Sequence, residues 1–369
     1  MPSSQTGLPL KYGLNPQQAR AMVTMPDGGP LPFSVLNGTP SVVNLLDALQ
    51  GWQLVRAASD ALGAPAAASM KHVSPAGAAL AGDVDATARA TFALDGPLSA
   101  VASAYARARD CDPRSSYGDL AALSHPVDAD TARLLARVVS DGVIAPAYEP
   151  GVLATLSRKK RGAFLVLEMD PGHVPPPEEV RDVFGVRLVQ DRDPVTIDGA
   201  ALGAADGFTE ELRADAVLGL IAARYAQSNS VAYVSGGRTV GIGTGQQSRV
   251  DCVRLAGEKA DRWRLRRHPR LAGAAFPDGT PLQERVNTVL RRVEEFDAGE
   301  RAAWLAREAP CTLASDAYFP FRDNVDVAAG HGVRCVVEGG GSRRSDEVEA
   351  ACREHGIVLV RTGLRLFSH

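Results

Sequence analysis

Strand-like apolar runs alternate with helical segments along nearly the whole chain, and this alternation constrains the fold more than any other feature. Ser41 to Leu62 carries Leu45, Leu46, Leu49, Trp52 and Val55 at near-helical spacing, with Gly63 and Pro65 to end it. Ala66 to Met70 reads as a short buried strand, Thr131 to Val139 as a helix, Gly142 to Ala145 and Phe164 to Met169 as strands. Pro171, Pro175, Pro176 and Pro177 make 170–178 a loop. After residue 205 the alternation resumes. Glu210 to Ala226 is helical, Ser230 to Val234 a strand, Ser235-Gly236-Gly237-Arg238 a hairpin turn and Thr239 to Ile242 the returning strand. Val333 to Val337, Asp346 to His355 and Ile357 to Val360 add a strand, a helix and a strand. The expectation is a layered α/β fold. A chain of 369 residues holds two or three domains at about 100–200 residues each. The composition shift at 191–206 sets the expected boundary, giving domains 1–198 and 199–369, two halves of a style compatible with duplication.

Several function classes are disfavoured. A formal net charge of -3 and an aromatic content of 5% argue against nucleic acid as a partner. Five cysteines, with no C-x-x-C among them, predict neither a disulfide framework nor a structural zinc site, and fit a reducing cytoplasm. The opening MPSSQTGLPLKYG lacks the apolar core of a secretory signal, and no run of 18 apolar residues predicts a membrane span. The H-x-E and P-C-x-x-C of zinc deaminases and the G-x-S-x-G of serine hydrolases do not occur, so no metal is expected.

Four segments carry polar chemistry. Lys71-His72 closes the first predicted strand and precedes a Pro/Gly turn, putting two proton-handling side chains at a strand end. As a bare dipeptide it would be structural most of the time; candidate ligand groups at Asn229, Arg249 and Arg365 favour the functional reading. Gly241-Ile242-Gly243-Thr244-Gly245-Gln246-Gln247-Ser248-Arg249 matches neither the dinucleotide fingerprint nor a P-loop; it is a tight turn, or a close backbone approach to a ligand with Arg249 as an anion clamp. Asp316 to Asn324 mixes aromatic and polar groups, as a core loop or as a wall for a flat ligand. Arg262 to His268 is a basic run expected on a solvated helix face, paired with acids elsewhere.

Taken in order, Lys11-Tyr12-Gly13-Leu14-Asn15-Pro16-Gln17-Gln18, Leu36-Asn37-Gly38, Lys71-His72, Ser115-Ser116-Tyr117-Gly118-Asp119, Val139-Ser140-Asp141-Gly142, Gln227-Ser228-Asn229-Ser230, the 241–249 loop, Phe319-Pro320-Phe321-Arg322-Asp323-Asn324 and Leu364-Arg365-Leu366-Phe367 resemble the AICAR transformylase family (phosphoribosylaminoimidazolecarboxamide formyltransferase). The resemblance covers nearly the whole chain and is closest to the stand-alone form without the IMP cyclohydrolase domain, so a separate cyclohydrolase is expected. It implies two cytidine-deaminase-like three-layer α/β/α subdomains, in a cytoplasmic homodimer with active sites at the interface. Sharing a fold with deaminases does not imply sharing their chemistry.

The implied reaction passes the formyl group of 10-formyltetrahydrofolate to the 5-amino group of AICAR. By resemblance, His72 moves the proton, Lys71 stabilises the oxyanion, and Asn229 holds the formyl group or the carboxamide. Lys11, Tyr12, Gly118, Asp141, Asn229, Arg249, Tyr318 and Arg365 match AICAR-contacting positions, with Lys11 and Arg365 the natural phosphate pair. Val250, Asp323, Ser342 and Arg343 match folate-contacting positions, and Pro320, Phe321 and Asn324 line that pocket. Lys11 stands where many relatives have Arg, and Tyr117, Tyr318 and Met70 stand where they have Phe. Two rival readings follow: formyl transfer to an AICAR analogue in purine-like antibiotic biosynthesis, and a catalytically silent protein that binds AICAR or folate.

Overall fold

A computed structural model describes residues 7–272 and 275–368. The first helix, α1 (Val42–Leu62), starts where Ser41 and Asn44 exchange side-chain-to-backbone hydrogen bonds, and ends at Gly63 in the left-handed conformation. A six-stranded sheet is built from β1 (Phe33–Asn37), β2 (Ala66–Lys71), β3 (Ser74–Leu80), β4 (Asp119–Leu123), β5 (Ser140–Ala145) and β6 (Leu165–Met169), in the order β1-β6-β5-β4-β2-β3. Strand β2 is antiparallel to both β3 and β4, whereas β4, β5 and β6 run parallel. A five-stranded sheet follows: β7 (Val231–Val234), β8 (Thr239–Gly243), β9 (Cys311–Ser315), β10 (Val333–Glu338) and β11 (Val358–Arg361), in the order β8-β7-β9-β10-β11. Strand β7 is antiparallel to β8 and β9, and β9, β10 and β11 run parallel. From hairpin to parallel strands the second sheet repeats the first, which adds only β1.

Side-chain alternation puts each sheet between helices. Ala66, Ala68 and Met70 of β2 and Ala232 and Val234 of β7 share one core with α1 and with α4 (Glu210–Arg224). Ala67 faces a second core with α2 (Ala100–Cys111) and α3 (Ala129–Arg137), and Val231 and Tyr233 face a third with α5 (Arg249–Leu265), α6 (Asp323–Gly330) and α7 (Ser345–Glu354). The result is a three-layer α/β arrangement for each sheet.

The two sheets meet edge to edge. Ala79 and Arg238 form an antiparallel bridge, the Leu80 N–H donates to the Gly237 carbonyl at 2.9 Å, and Thr239 Oγ1 accepts from the Ala78 N–H at 2.9 Å. Here the expectation for the basic run is corrected. Arg264 and Arg266 are buried rather than solvated, and Arg266 pairs with fully buried Asp110 of α2 at 2.7 Å. Arg267 reaches the same carboxylate at 2.5 Å and Asp85 at 2.7 Å. Burial opposes ionisation of Asp110, but the two guanidiniums outweigh it and hold its carboxyl at about 2.

Candidate active site

Two residues, His72 and Val73, join β2 to β3, with Lys71 paired to Ser74 across the loop. Their φ values are 52° and 59°. Two-residue hairpin turns take positive φ at both central positions because this matches strand twist, and they normally use Asn or Gly. A histidine and a β-branched valine held there cost about 1–2 kcal/mol each. Asp47 of α1 sits against this turn. Its side chain is buried, and its Oδ1 accepts the Val73 N–H at 2.6 Å. Burial pushes the Asp47 carboxyl up to about 6, although the Val73 N–H and the charge of His72 favour its ionised form. The His72 ring stands exposed at the tip, while Lys71 is half-buried and its ammonium donates to the Tyr117 carbonyl.

The starts of β4 and β5 lie at the same end of the sheet. A Cβ on Gly118 would lie 3.9 Å from both the Lys71 Nζ and an Asp141 carboxylate oxygen, so Lys71, Gly118 and Asp141 are neighbours. Asp141 also pairs with Lys160. Below them Asp119 is fully buried, accepting from Ser69 Oγ at 2.6 Å, Arg109 Nη1 at 2.6 Å and the Tyr105 hydroxyl at 3.0 Å. This satisfied network fixes the floor under Lys71.

In the second sheet the equivalent groups come from strand ends and loops. The Asn229 amide donates to the carbonyls of Gln246 at 2.6 Å and Gln247 at 3.1 Å, which leaves its oxygen as the atom able to meet a ligand donor. Arg249, expected as an anion clamp, is buried. Its Nη1 is committed to Asp316, to the Ser230 carbonyl at 3.2 Å and to Ser315 Oγ at 3.1 Å, so one arm of its guanidinium holds protein. Val250 follows it, half-buried, in the first turn of α5. Tyr318 and Arg365 are exposed, and the Leu366 N–H donates to the Asp316 carbonyl at 2.8 Å.

The expected folate residues other than Val250 lie in the loops beyond β9 and β10. Ser342 Oγ lies 3.4 Å from the Pro320 carbonyl, and Asn324 donates to the Phe321 carbonyl at 3.0 Å and to Asp323 at 2.8 Å. The Asn324 carbonyl oxygen is buried with no partner among the described residues. Phe321 is exposed under the guanidinium of Arg344 at 5.3 Å, and both Arg343 and Arg344 are exposed. Glu338 ties these loops together by accepting from the N–H groups of Phe319 at 2.9 Å and Gly340 at 3.0 Å.

Three contacts bring the sets to one end of the molecule. The Gln227 N–H points at Ser74 Oγ at 3.5 Å, which puts the Asn229 segment beside the His72 turn. The Tyr12 carbonyl accepts from the Val42 N–H at 3.2 Å, which puts exposed Lys11 and half-buried Tyr12 at the start of α1, near Asp47. Ser368 lies 3.4 Å from Gln50 of α1, carrying the Arg365 segment to the same helix. Asp47, Asp119, Lys160 and Glu338 were not singled out from sequence. A lone acid among the apolar residues of a predicted helix, as in Leu45-Leu46-Asp47-Ala48, is the signal that points to the first.

The arrangement offers an exposed imidazole, an adjacent ammonium with donors to spare, an amide oxygen and surface cations. It suits proton transfer and oxyanion stabilisation. The cysteines are poor nucleophile candidates: burial pushes Cys111, Cys252, Cys335 and Cys352 up to about 12. Among the described residues, no group of three or more His, Cys, Asp or Glu is arranged to hold a metal, and no helix is long and apolar enough to cross a membrane.

Residues 2–259 match the family model for the AICARFT/IMPCHase bienzyme. The bifunctional purine biosynthesis protein PurH of Ruegeria sp. strain TM1040 is 33% identical over an alignment of 374 residues covering 100% of this chain and 60% of that protein. PurH of Ruegeria pomeroyi is 32% identical over 367 residues, covering 98% of this chain and 59% of that protein. The chain thus spans about 60% of the length of these relatives. With the family model matched over more than half its residues, the chain belongs to the AICARFT/IMPCHase bienzyme family.

Proposed function

We propose that this chain is a formyltransferase of purine biosynthesis, passing the formyl group of 10-formyltetrahydrofolate to the 5-amino group of AICAR. The observation that carries the reading is the exposed His72 beside Lys71, on a turn adjoining the Asn229 segment. The AICAR amine is conjugated to a carboxamide-bearing ring and is a poor nucleophile. In the proposed step its nitrogen bonds to the formyl carbon while His72 accepts its proton. One donor of the Lys71 ammonium is held by the Tyr117 carbonyl, and the other two are available to stabilise the tetrahedral oxyanion. Collapse breaks the bond from the formyl carbon to the folate nitrogen, which takes up a proton. Asn229 orients the carboxamide of AICAR, its side-chain oxygen accepting from the carboxamide N–H, Lys11 and Arg365 meet the phosphate, and the cluster around Pro320, Phe321, Asn324 and Ser342 receives the folate. A homodimer, in which the partner completes each site, belongs to the same reading.

Tetrahydrofolate release on mixing the chain with AICAR and 10-formyltetrahydrofolate tests the proposal. His72→Ala is expected to lose about 100- to 10,000-fold in turnover while still binding the nucleotide. Unchanged turnover refutes the assignment. A second reading, transfer to an AICAR analogue, is favoured by the half-exposed Tyr117 and Tyr318, which add hydroxyls where relatives carry Phe. Met70, the third departure, is fully buried against Gly51 and Ala122 and does not bear on the substrate. A very high KM for AICAR favours the analogue.

A further inference from the structure

The two hairpin turns of the repeated fold are built alike and filled differently. In the second repeat, Gly236 and Gly237 form the two-residue loop between Ser235 and Arg238, with φ values of 60° and 70°. Asp215 accepts the N–H groups of both, at 3.0 and 2.7 Å. It lies five residues beyond Glu210, the first residue of α4. Asp47 lies five residues beyond Val42, the first residue of α1, and accepts the N–H of the second loop residue, Val73. Both carboxyls are buried, and burial pushes both above the ordinary range. A helix-borne aspartate gripping the hairpin tip is therefore a device of the repeat. Glycine takes the left-handed conformation without penalty, so at the second turn the aspartate opposes no backbone strain. Histidine and valine do not take it freely.

We propose that Asp47 is the positioning residue of the site: its carboxylate holds the His72–Val73 turn in a conformation that a glycine pair adopts without steric penalty, and so aims the His72 imidazole at the substrate amine. The inference rests on the reading of His72 as the proton-transfer group. Asp47 itself touches neither substrate, and its effect passes through the backbone of Val73. The carboxylate faces Val73 and His72 on the turn, with Asp119 and Asp141 close enough at the starts of β4 and β5 to be felt electrostatically.

The test compares Asp47→Ala, Asp47→Asn, the double variant Asp47→Ala/Val73→Gly, and His72→Ala, in the full chain, by tetrahydrofolate release and thermal melting. Misplacing a reacting group by about 1 Å costs on the order of 100-fold, so Asp47→Ala is expected to lose about that in kcat, with the KM for AICAR within about 3-fold. Asp47→Asn keeps an oxygen that can accept the Val73 N–H and is expected to lose less. The double variant is expected to recover about 10-fold over Asp47→Ala, because glycine adopts the turn without steric penalty. Wild-type kcat in Asp47→Ala, or a folded double variant no faster than a folded Asp47→Ala, overturns the proposal. If Asp47→Ala does not fold, the double variant must fold and outpace His72→Ala; its failure on either count also overturns the proposal. Wild-type turnover in His72→Ala sinks the reading of the site itself. An inactive His72→Ala beside a fully active Asp47→Ala sinks only the role given to Asp47.

Discussion

Replacing Asp47 by Asn should make the protein more resistant to denaturation near neutral pH. The Asp47 carboxyl is held at about 6 in the folded chain, against an ordinary value of 3.8. Below 3.8 both folded and unfolded states carry the proton, and ionisation contributes nothing. As pH rises past 3.8 the unfolded carboxyl releases its proton while the folded one retains it. The contribution of Asp47 to wild-type stability therefore falls across the window from 3.8 to about 6 and levels off above it. The full loss is on the order of 3 kcal/mol, of which about 2 kcal/mol falls between pH 4.5 and 7.5. Asparagine cannot ionise and lacks this slope. Urea unfolding of wild type and Asp47→Asn at the two pH values measures it: the variant should gain about 2 kcal/mol relative to wild type on going from pH 4.5 to 7.5. A stability difference independent of pH, or one growing toward acid, refutes the reasoning. The chain would then not be carrying a carboxylate whose burial is unfavourable at neutral pH.

Two further outcomes follow from packing and charge. Asp110→Asn strips the fully buried Arg266 of its counter-ion and should destabilise the chain by about 3–5 kcal/mol; a loss below about 1 kcal/mol in urea unfolding would mean that water reaches the pair. Gly77→Ala places a methyl 2.0 Å from the Ala108 carbonyl oxygen and 2.6 Å from the Cys111 Cβ, pressing β3 off α2; about 1–3 kcal/mol should be lost, and an unchanged melting temperature would show that the helix can yield.

Helices with capped ends and one apolar face were legible in the sequence. The span expected from Ser41 to Leu62 is the observed α1 with its N-cap, because Ser41 and Gly63 are local signals. The strands β7, β8, β10 and β11 lie within a residue or two of their expected positions for the same reason. Helix α2 was silent: alanines, Arg107, Arg109 and Asp110 are buried nearly all round it, so no amphipathic stripe marks it. The hairpin of Glu178–Val183 and Val186–Asp191 escaped notice for the opposite reason. Nearly all its residues are exposed, and a ladder without a buried face leaves no alternation to read. The basic run at the end of α5 pairs with acids elsewhere as expected, Asp85 and Asp110, but its burial escaped the sequence because those acids come from the first sheet's side of the molecule, a contact no local window contains. Lys71 and His72 stood out as residue types, but the left-handed turn that presents them depends on Asp47, some 25 residues upstream and visible as a partner only once α1 lies on the sheet.

The edge-to-edge junction of β3 with β8 limits how many working ends such a chain can have. Antiparallel edges relate the two repeats by a half-turn about an axis through the sheets, so their equivalent hairpin tips point in opposite directions. Ionisable side chains on both tips would lie at opposite ends of the molecule, each without the other's loops. With glycines at one tip and His72 at the other, the strand ends of both repeats are spent on a single face, where the starts of β4 and β5 lie alongside the exits of β9 and β10. The repeated strand order doubles the scaffold, while an ionisable hairpin tip occurs in the first repeat alone.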